Sequence, residues 1–251
     1  EAFDNKLDKI SLQKLLMFLC RLQTIPDYHF VPYKYGCFSF QANADLSTMV
    51  KYNQVSVEGK SWVKTDKTNY LPLLKEKDRK AIQIVKYNHG GKDANALIKY
   101  SYVAFPYYAI NSSIARDVLT NEEYLRVKDA RPVLETTTLF TIGYEGISLE
   151  EYLNKLIKHD VKVLCDVRKN SISMKYGFSK SQLQNACEGV GIEYIHIPEL
   201  GIDSDKRQIL TCQSDYDMLF SEYKRTVLCE ETKTMHRVFE LLKEKNCVNM
   251  F

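Results

Sequence analysis

Between Leu139 and Gly201, short apolar runs alternate with stretches whose apolar residues recur every three or four positions. Leu139-Phe140-Thr141-Ile142 reads as a strand that stops at Gly143-Tyr144-Glu145-Gly146. Ser148 precedes Leu149-Glu150-Glu151, the pattern of an N-cap with acids in the first turn. Leu149, Tyr152, Leu153, Leu156 and Ile157 follow at helical spacing. Val161 to Cys165 is a second strand-like run and leads into Asp166-Val167-Arg168. A polar loop from Lys169 to Gly177 and Phe178-Ser179-Lys180 then lead to a helix predicted over about 181–188, closed by Gly189 and Gly191. The third run, Ile192 to Ile197, breaks at Pro198-Glu199-Leu200-Gly201. Strand, helix, strand, helix, strand makes two βαβ units and predicts a parallel sheet. Beyond it come a charged loop holding Asp203, Asp205, Lys206 and Arg207, and helices predicted over about 215–227 and 231–245. Cys247 to Phe251 is predicted as a fourth strand.

The first half patterns differently. Leu12, Leu15, Leu16, Leu19 and Leu22 form one helical stripe, with Ser11 as the predicted N-cap and Pro26-Asp27 as the break. An aromatic connector, His29 to Gly36, precedes a helix over about 42–52. Val55-Ser56-Val57 and Ser61-Trp62-Val63 flank a Gly59 turn and read as a hairpin. Asp78 and Asp93 are predicted to cap two further helices. Two helices and a two-stranded ribbon, in that order, match a winged helix-turn-helix. Asp129 to Thr138 reads as a linker, which divides the chain into domains 1–137 and 138–251.

Composition narrows the class. A hydrophobic fraction of 45% and a charged fraction of 27% are ordinary for a folded globular chain, and 251 residues suit two domains. Seven scattered cysteines, with no Cys-x-x-Cys and no zinc-type Cys/His spacing, read as reduced core thiols of a cytoplasmic protein without a metal site. No apolar run is long enough to span a bilayer, so no membrane partner is expected. Net charge is +3, with 20 basic and 15 acidic residues in 1–137 against 15 and 17 in the remainder. That excess reads as a solvated surface, or as a polyanion-binding face on the first domain. Lys75, Lys77, Arg79 and Lys80 are interrupted by Glu76 and Asp78, which fits a solvated helix start better than a nucleic-acid stripe. The chain holds 17 tyrosines, many in the first domain, where core edges account for them better than base stacking does.

In parallel sheets, polar chemistry collects beyond the carboxyl ends of the strands. Tyr144, Glu145, Asp166, Arg168 and Glu199 all fall at such ends. Alternation puts Asp166 and Arg168 on one face, where they either pair structurally or bind an anion and hold a proton acceptor. Arg168 offers a planar fork for phosphate or carboxylate, and Ser173, Lys175 and Lys180 are further anion donors. Asp166, Glu199 and Glu145 are the candidate catalytic acids and bases. Tyr144, Tyr176 or Phe178 could stack on a base or sugar. His196 shares a face with Tyr194 and is either a site residue or a core histidine. Gly-x-Ser-x-Gly is absent and Gly143-Tyr-Glu-Gly146 is not Gly-x-Gly-x-x-Gly, which argues against a serine hydrolase and against a nucleotide-binding Rossmann turn. His89-Gly90-Gly91-Lys92 lacks the P-loop pattern and reads as a turn.

Thr141-Ile-Gly-Tyr-Glu-Gly146, Asp166-Val-Arg168, the Ser173-to-Lys180 loop and Ile192-Glu-Tyr-Ile-His-Ile-Pro-Glu-Leu-Gly201 occur in that order. Together they resemble the domain-of-unknown-function family numbered 488, over about Leu139 to the C-terminus. That family usually carries proline where Ser171 stands and often arginine where Met174 stands, so the loop departs from the pattern. The family pattern continues past a last buried strand into a Cys-Glu…Cys-His-Arg segment. This chain stops at Phe251 and begins at Glu1, so further residues are expected at both ends. The resemblance implies a fold and a site location but no reaction. Residues 30–36, Phe-Val-Pro-Tyr-Lys-Tyr-Gly, resemble the Panacea-type antitoxin domain, which implies a winged-helix, partner-binding first domain.

The expected architecture is α/β: a C-terminal Rossmann-like βαβ domain preceded by a mainly helical, winged-helix-like domain. The expected function is an enzyme acting on a phosphate-bearing nucleotide or nucleic acid, delivered by a DNA- or protein-binding first domain. The alternative is a non-enzymatic regulator whose α/β domain senses a small anion. Which cofactor such an enzyme would use is left open by the sequence.

Overall fold

The computed structural model describes residues 1–207, 210–244 and 247–250. The backbone divides into two compact units, Glu1–Arg131 and Pro132–Phe251.

In the first unit, β1 (Lys6–Asp8) leads into α1 (Lys9–Leu22). Asp8 caps this helix, its carboxylate accepting from the amides of Ile10 and Ser11 at 3.0 and 2.9 Å. Ser11 is therefore inside the helix and not its predicted cap. An ionised cap at the end of a strand satisfies two orphan amides and complements the helix dipole, and it outcompetes the serine. The helix stops at Leu22, ahead of Pro26. It is buried on more than its leucine stripe: Met17, Phe18 and Cys20 join Leu15 against Phe30, Cys37, Val85 and Leu97. Lys14 and Gln13 are buried with them. The pair survives there because Lys14 donates to the carbonyls of Tyr35 and Cys37, and Gln13 exchanges hydrogen bonds with the Ser39 backbone.

Those carbonyls belong to a hairpin, β2 (Val31–Tyr33) and β3 (Gly36–Phe38). Gly36 has φ +89°, and a Cβ there would lie 2.5 Å from the Tyr102 ring, so only glycine fits the turn. Next come α2 (Phe40–Lys51), β4 (Val55–Glu58) and β5 (Ser61–Lys64). β1, β5 and β4 form an antiparallel sheet in that order. The unit closes with α3 (Glu76–His89), α4 (Ala94–Ala104), α5 (Ala115–Val118) and α6 (Asn121–Asp129). α3 begins ahead of Asp78, which sits in its first turn and not at its cap. Asp93 caps α4 as expected. Lys92 is turned back onto the Asn88 carbonyl, so the Gly90-Gly91 turn presents no phosphate cradle.

The second unit runs β6 (Leu139–Ile142), α7 (Leu149–Lys158), β7 (Val163–Asp166), α8 (Lys180–Gly189), β8 (Glu193–His196), α9 (Gln213–Tyr223), α10 (Thr232–Glu244) and β9 (Cys247–Met250). A wider π turn, Lys224–Leu228, extends α9. The strand order is β6-β9-β7-β8, and each adjacent pair is parallel. The chain is thus of mixed α/β class. β7 is buried along its whole length, as a central strand covered on both faces must be. Val163, Cys165 and Val167 alternate onto one face, packing with Ile197, Leu200 and Val238. Asp166 lies between them in the chain and so points to the other face. α7 buries Leu149, Tyr152, Leu153, Leu156 and Ile157, the stripe read from its sequence. A capping box between Ser148 and Glu151 starts it. Lys245 and Phe251, the ends of the predicted last helix and strand, lie outside the described residues, as does the Cys247 side chain.

The six described cysteines are free; four are buried, but Cys212 and Cys229 are exposed, which corrects the reading of every cysteine as a core thiol. Among the described residues no helix is long and apolar enough to cross a membrane. None of their His, Cys, Asp and Glu side chains cluster in groups of three or more able to hold a metal.

Candidate functional site

β7 ends in a buried ion pair. Asp166 is fully buried and Arg168 is 5% exposed. Asp166 Oδ1 accepts from the Arg168 amide at 3.1 Å and from Nε at 2.9 Å. Oδ2 accepts from Arg168 Nη2 at 2.7 Å and from the Tyr194 hydroxyl at 2.6 Å. Four donors fill the acceptor capacity of a carboxylate. Burial alone would raise the Asp166 pKa, but the hydrogen bonds from Arg168 and Tyr194 win and hold it below the ordinary value. Burial likewise opposes the charge on Arg168, and Asp166 with Tyr144 more than offsets it, so the guanidinium is held protonated. Tyr194 is pushed up by burial and by Asp166, so its hydroxyl stays a donor.

Arg168 Nη2 also donates to the Phe178 carbonyl at 2.9 Å. The edge of the fork that faces Asp166 is therefore spent inside the protein. Nη1 is buried and makes no well-formed hydrogen bond among the described atoms, although Tyr144 lies close enough to support the charge. The same holds for the Tyr152 hydroxyl, a buried group raised by desolvation and by the nearby Cys187 and Asp166. Two orphan donors in one buried cluster are costly unless a guest satisfies them. Tyr144 lies over this cluster. Its ring stacks on Phe178 at 4.6 Å and 20°, and the Arg168 guanidinium carbon lies 5.2 Å from its centroid. Phe178 in turn meets Tyr152 edge-on at 5.2 Å.

The loop between β7 and α8 folds onto itself. Ser173 receives the Lys175 amide on its hydroxyl at 3.1 Å, and its own amide donates to Ser179 Oγ at 3.1 Å. Lys175 Nζ donates to the Tyr144 carbonyl at 2.7 Å. Gly177, at φ +86°, packs so closely on Leu149 that a Cβ would sit 2.6 Å from Leu149 Cδ2. Met174 is wholly exposed.

β8 contributes a second arrangement. His196 Nε2 lies 2.9 Å from the Arg168 carbonyl oxygen, and Nδ1 lies 3.0 Å from Lys180 Nζ. Asp166, Arg168, Tyr144, Phe178, Lys175, Lys180 and His196 are thus linked by contacts at one strand-end rim. Glu145 and Glu199 are exposed and, among the described residues, carry no ion pair or hydrogen bond. Ser173 serves the loop's own fold.

Tyr194 and Tyr152 were not among the candidates read from the sequence. Alternation along β8 did place Tyr194 on the face of His196. What it lacked was the register, in which Leu164 pairs with Tyr194 and Asp166 with His196. No sequence signal separates Tyr152 from the core stripe of α7. An apolar cavity of about 410 Å³, lined by Val167, Leu200, Leu219 and Phe220, adjoins the polar rim at Arg168. Another of about 360 Å³ lies in the first unit among α1 leucines.

Fold and site together define a mixed α/β protein with an arginine-centred polar cluster at its strand ends. A family model described as domain of unknown function DUF488 matches residues 148–251, the C-terminal part of the chain. The match takes in Asp166, Arg168, Lys180, Tyr194, His196 and Glu199, and starts after Tyr144 and Glu145. No curated protein and no solved structure matches the chain.

Proposed function

We propose that the C-terminal unit is a Rossmann-like domain that binds a phosphate-bearing nucleotide or nucleic-acid segment at the carboxyl ends of its strands and acts on it as an enzyme. The observation that carries this reading is Arg168: a buried guanidinium, locked by Asp166, with Nη1 unspent. A charge-assisted bond from Nη1 to a phosphate oxygen would satisfy that donor. The Tyr144–Phe178 stack offers an aromatic wall beside it. Asp166 is assigned to positioning: its oxygens are saturated and it is held ionised, so it cannot take a proton cheaply. Glu199 and Glu145, solvated and unpaired, are the carboxylates free for acid/base work.

Calorimetric titration of the full chain with inorganic phosphate, adenosine 5′-monophosphate and adenosine tests this. The two phosphate ligands should bind and adenosine should not. Arg168→Lys should weaken binding by about tenfold or more, since a hydrogen bond to a charged group contributes roughly 1.5–3 kcal/mol. Circular dichroism checks that the variant is folded. Equal affinity in the folded variant, or no binding by the parent chain, would sink the reading.

The N-terminal unit is proposed as a winged-helix module for a protein partner. In that reading α2 is the recognition helix. It carries Asp45 and a single basic residue, Lys51, at its last position. Duplex DNA would be repelled by such a face, because phosphate contacts need several Lys or Arg side chains. Titration with labelled duplex across salt concentrations tests it: tight, steeply salt-dependent binding would refute a protein-only role.

A further inference from the structure

We infer that Lys180 is an amine nucleophile, activated by His196, for the aldehyde of a phosphorylated sugar, either free or within a nucleic-acid strand. This rests on the phosphate reading above and adds the reacting group.

The geometry around His196 assigns its protons. A backbone carbonyl only accepts, so the nitrogen 2.9 Å from the Arg168 oxygen, Nε2, carries hydrogen. In the neutral ring Nδ1 is then a bare lone pair. It lies 3.0 Å from Lys180 Nζ, which donates to it. Among the described residues Lys180 has no carboxylate partner, whereas Lys162, Lys169 and Lys206 each have one. Lys180 is also the first residue of α8, so the helix start fixes its backbone beside β8. Its amine is exposed at the rim, and its acceptor is tied to the main chain of the residue whose guanidinium would hold the phosphate. An amine beside a proton acceptor, on the same strand-end rim as the Arg168 pair and the Tyr144–Phe178 stack, fits a sugar phosphate with a free carbonyl.

The step balances. The ammonium of Lys180 passes one proton to His196 Nδ1. The freed lone pair attacks the aldehyde carbon, the C=O π bond opens, and the imidazolium proton goes to the oxygen. His196 then takes a second proton from the nitrogen and delivers it to the hydroxyl. Water leaves, and Lys180 is joined to the sugar as an iminium.

Sodium cyanoborohydride reduces an iminium to a stable secondary amine. The full chain is incubated with it and either ribose 5-phosphate or an oligonucleotide bearing an abasic site, then mapped by mass spectrometry. One adduct at Lys180 is expected, and the more reactive of the two aldehydes identifies the source. Lys180→Gln should abolish it, and His196→Asn should slow labelling on the order of a hundredfold, both with unchanged circular dichroism. Adducts spread evenly over exposed lysines, or His196→Asn labelled at the parent rate, would overturn the inference. Phosphate binding that persists without any Lys180 adduct sinks the imine step alone. Lys180 labelling that inorganic phosphate does not slow keeps the nucleophile and removes the phosphate reading.

Discussion

Replacing Asp166 by asparagine should cost more than any other single change in the second unit that keeps side-chain volume. The carboxylate is fully buried, the Arg168 side chain is 4% exposed, and they are 2.7 Å apart. Solvent screening therefore gives little relief. Asparagine retains acceptor capacity on one atom only, and it leaves the guanidinium buried without its counter-charge. Breaking one partner of a buried pair costs about 3–5 kcal/mol, a large part of the roughly 5–15 kcal/mol by which a folded domain is stable. With a urea slope of about 1–3 kcal/mol per molar, the midpoint should fall by roughly 1–3 M. Far-UV circular dichroism is the probe, because Trp62, the chain's one tryptophan, sits in β5 of the other unit. The pH dependence has a definite sign. The folded-state pKa of Asp166 lies below its ordinary value, so its contribution is present above the unfolded pKa near ~3.9 and is lost as pH falls through the folded value. The gap between parent and Asp166→Asn should therefore shrink below about pH 4. A loss under 1 kcal/mol at neutral pH, or a gap that widens on acidification, would refute the assignment of a charged, locked pair. The double variant Asp166→Leu, Arg168→Met should recover much of the loss, since an apolar pair leaves no charge unpaired.

Tyr194→Phe removes a 2.6 Å bond to the same carboxylate, and urea unfolding should show a loss of about 1.5–3 kcal/mol. Gly177→Ala combines a left-handed backbone with a clash on Leu149, so a melting curve should show destabilisation of about 1–3 kcal/mol. Asp8→Ala removes the α1 cap and should cost about 1 kcal/mol, whereas Ser11→Ala should cost less by the same measurement. Glu199→Gln and Glu145→Gln should leave the unfolding midpoint within about 0.5 kcal/mol of the parent, because both side chains are solvated and unpaired.

Much of the second unit was readable from local rules. The Ser148 capping box, the α7 stripe and the three apolar runs are each set by neighbours in the chain, so periodicity exposed them. The Asp166–Arg168 pairing was readable too, since two residues apart on a strand share a face. What stayed hidden was what the Arg168 fork does. The sequence left it open to a ligand, while the fold turns two of its nitrogens onto Asp166 and the Phe178 carbonyl. Ser173 and Lys175 were read only as anion donors; that Ser173 would also bond the Lys175 and Ser179 positions of its own loop, and Lys175 the Tyr144 carbonyl, depends on how the loop returns. In the first unit, the leucine stripe of α1 was clear, but the burial of Gln13 and Lys14 was not. Their partners are main-chain groups more than twenty residues away, the Tyr35 and Cys37 carbonyls of the hairpin and the Ser39 amide and carbonyl at the start of α2.

Whereas in the first unit β1, the β2–β3 hairpin, α5 and α6 escaped it, in the second unit the sequence alone determined which segments are strands or helices, which of their faces are apolar, and which chemical groups stand at the strand ends. These follow from side-chain volume, polarity and spacing within a few residues. Only the tertiary structure decided which donors are spent and which remain. A hydrogen bond at 3 Å depends on the register of β7 against β8 and on how Phe178 returns over Arg168. Neither is encoded within a window short enough to read.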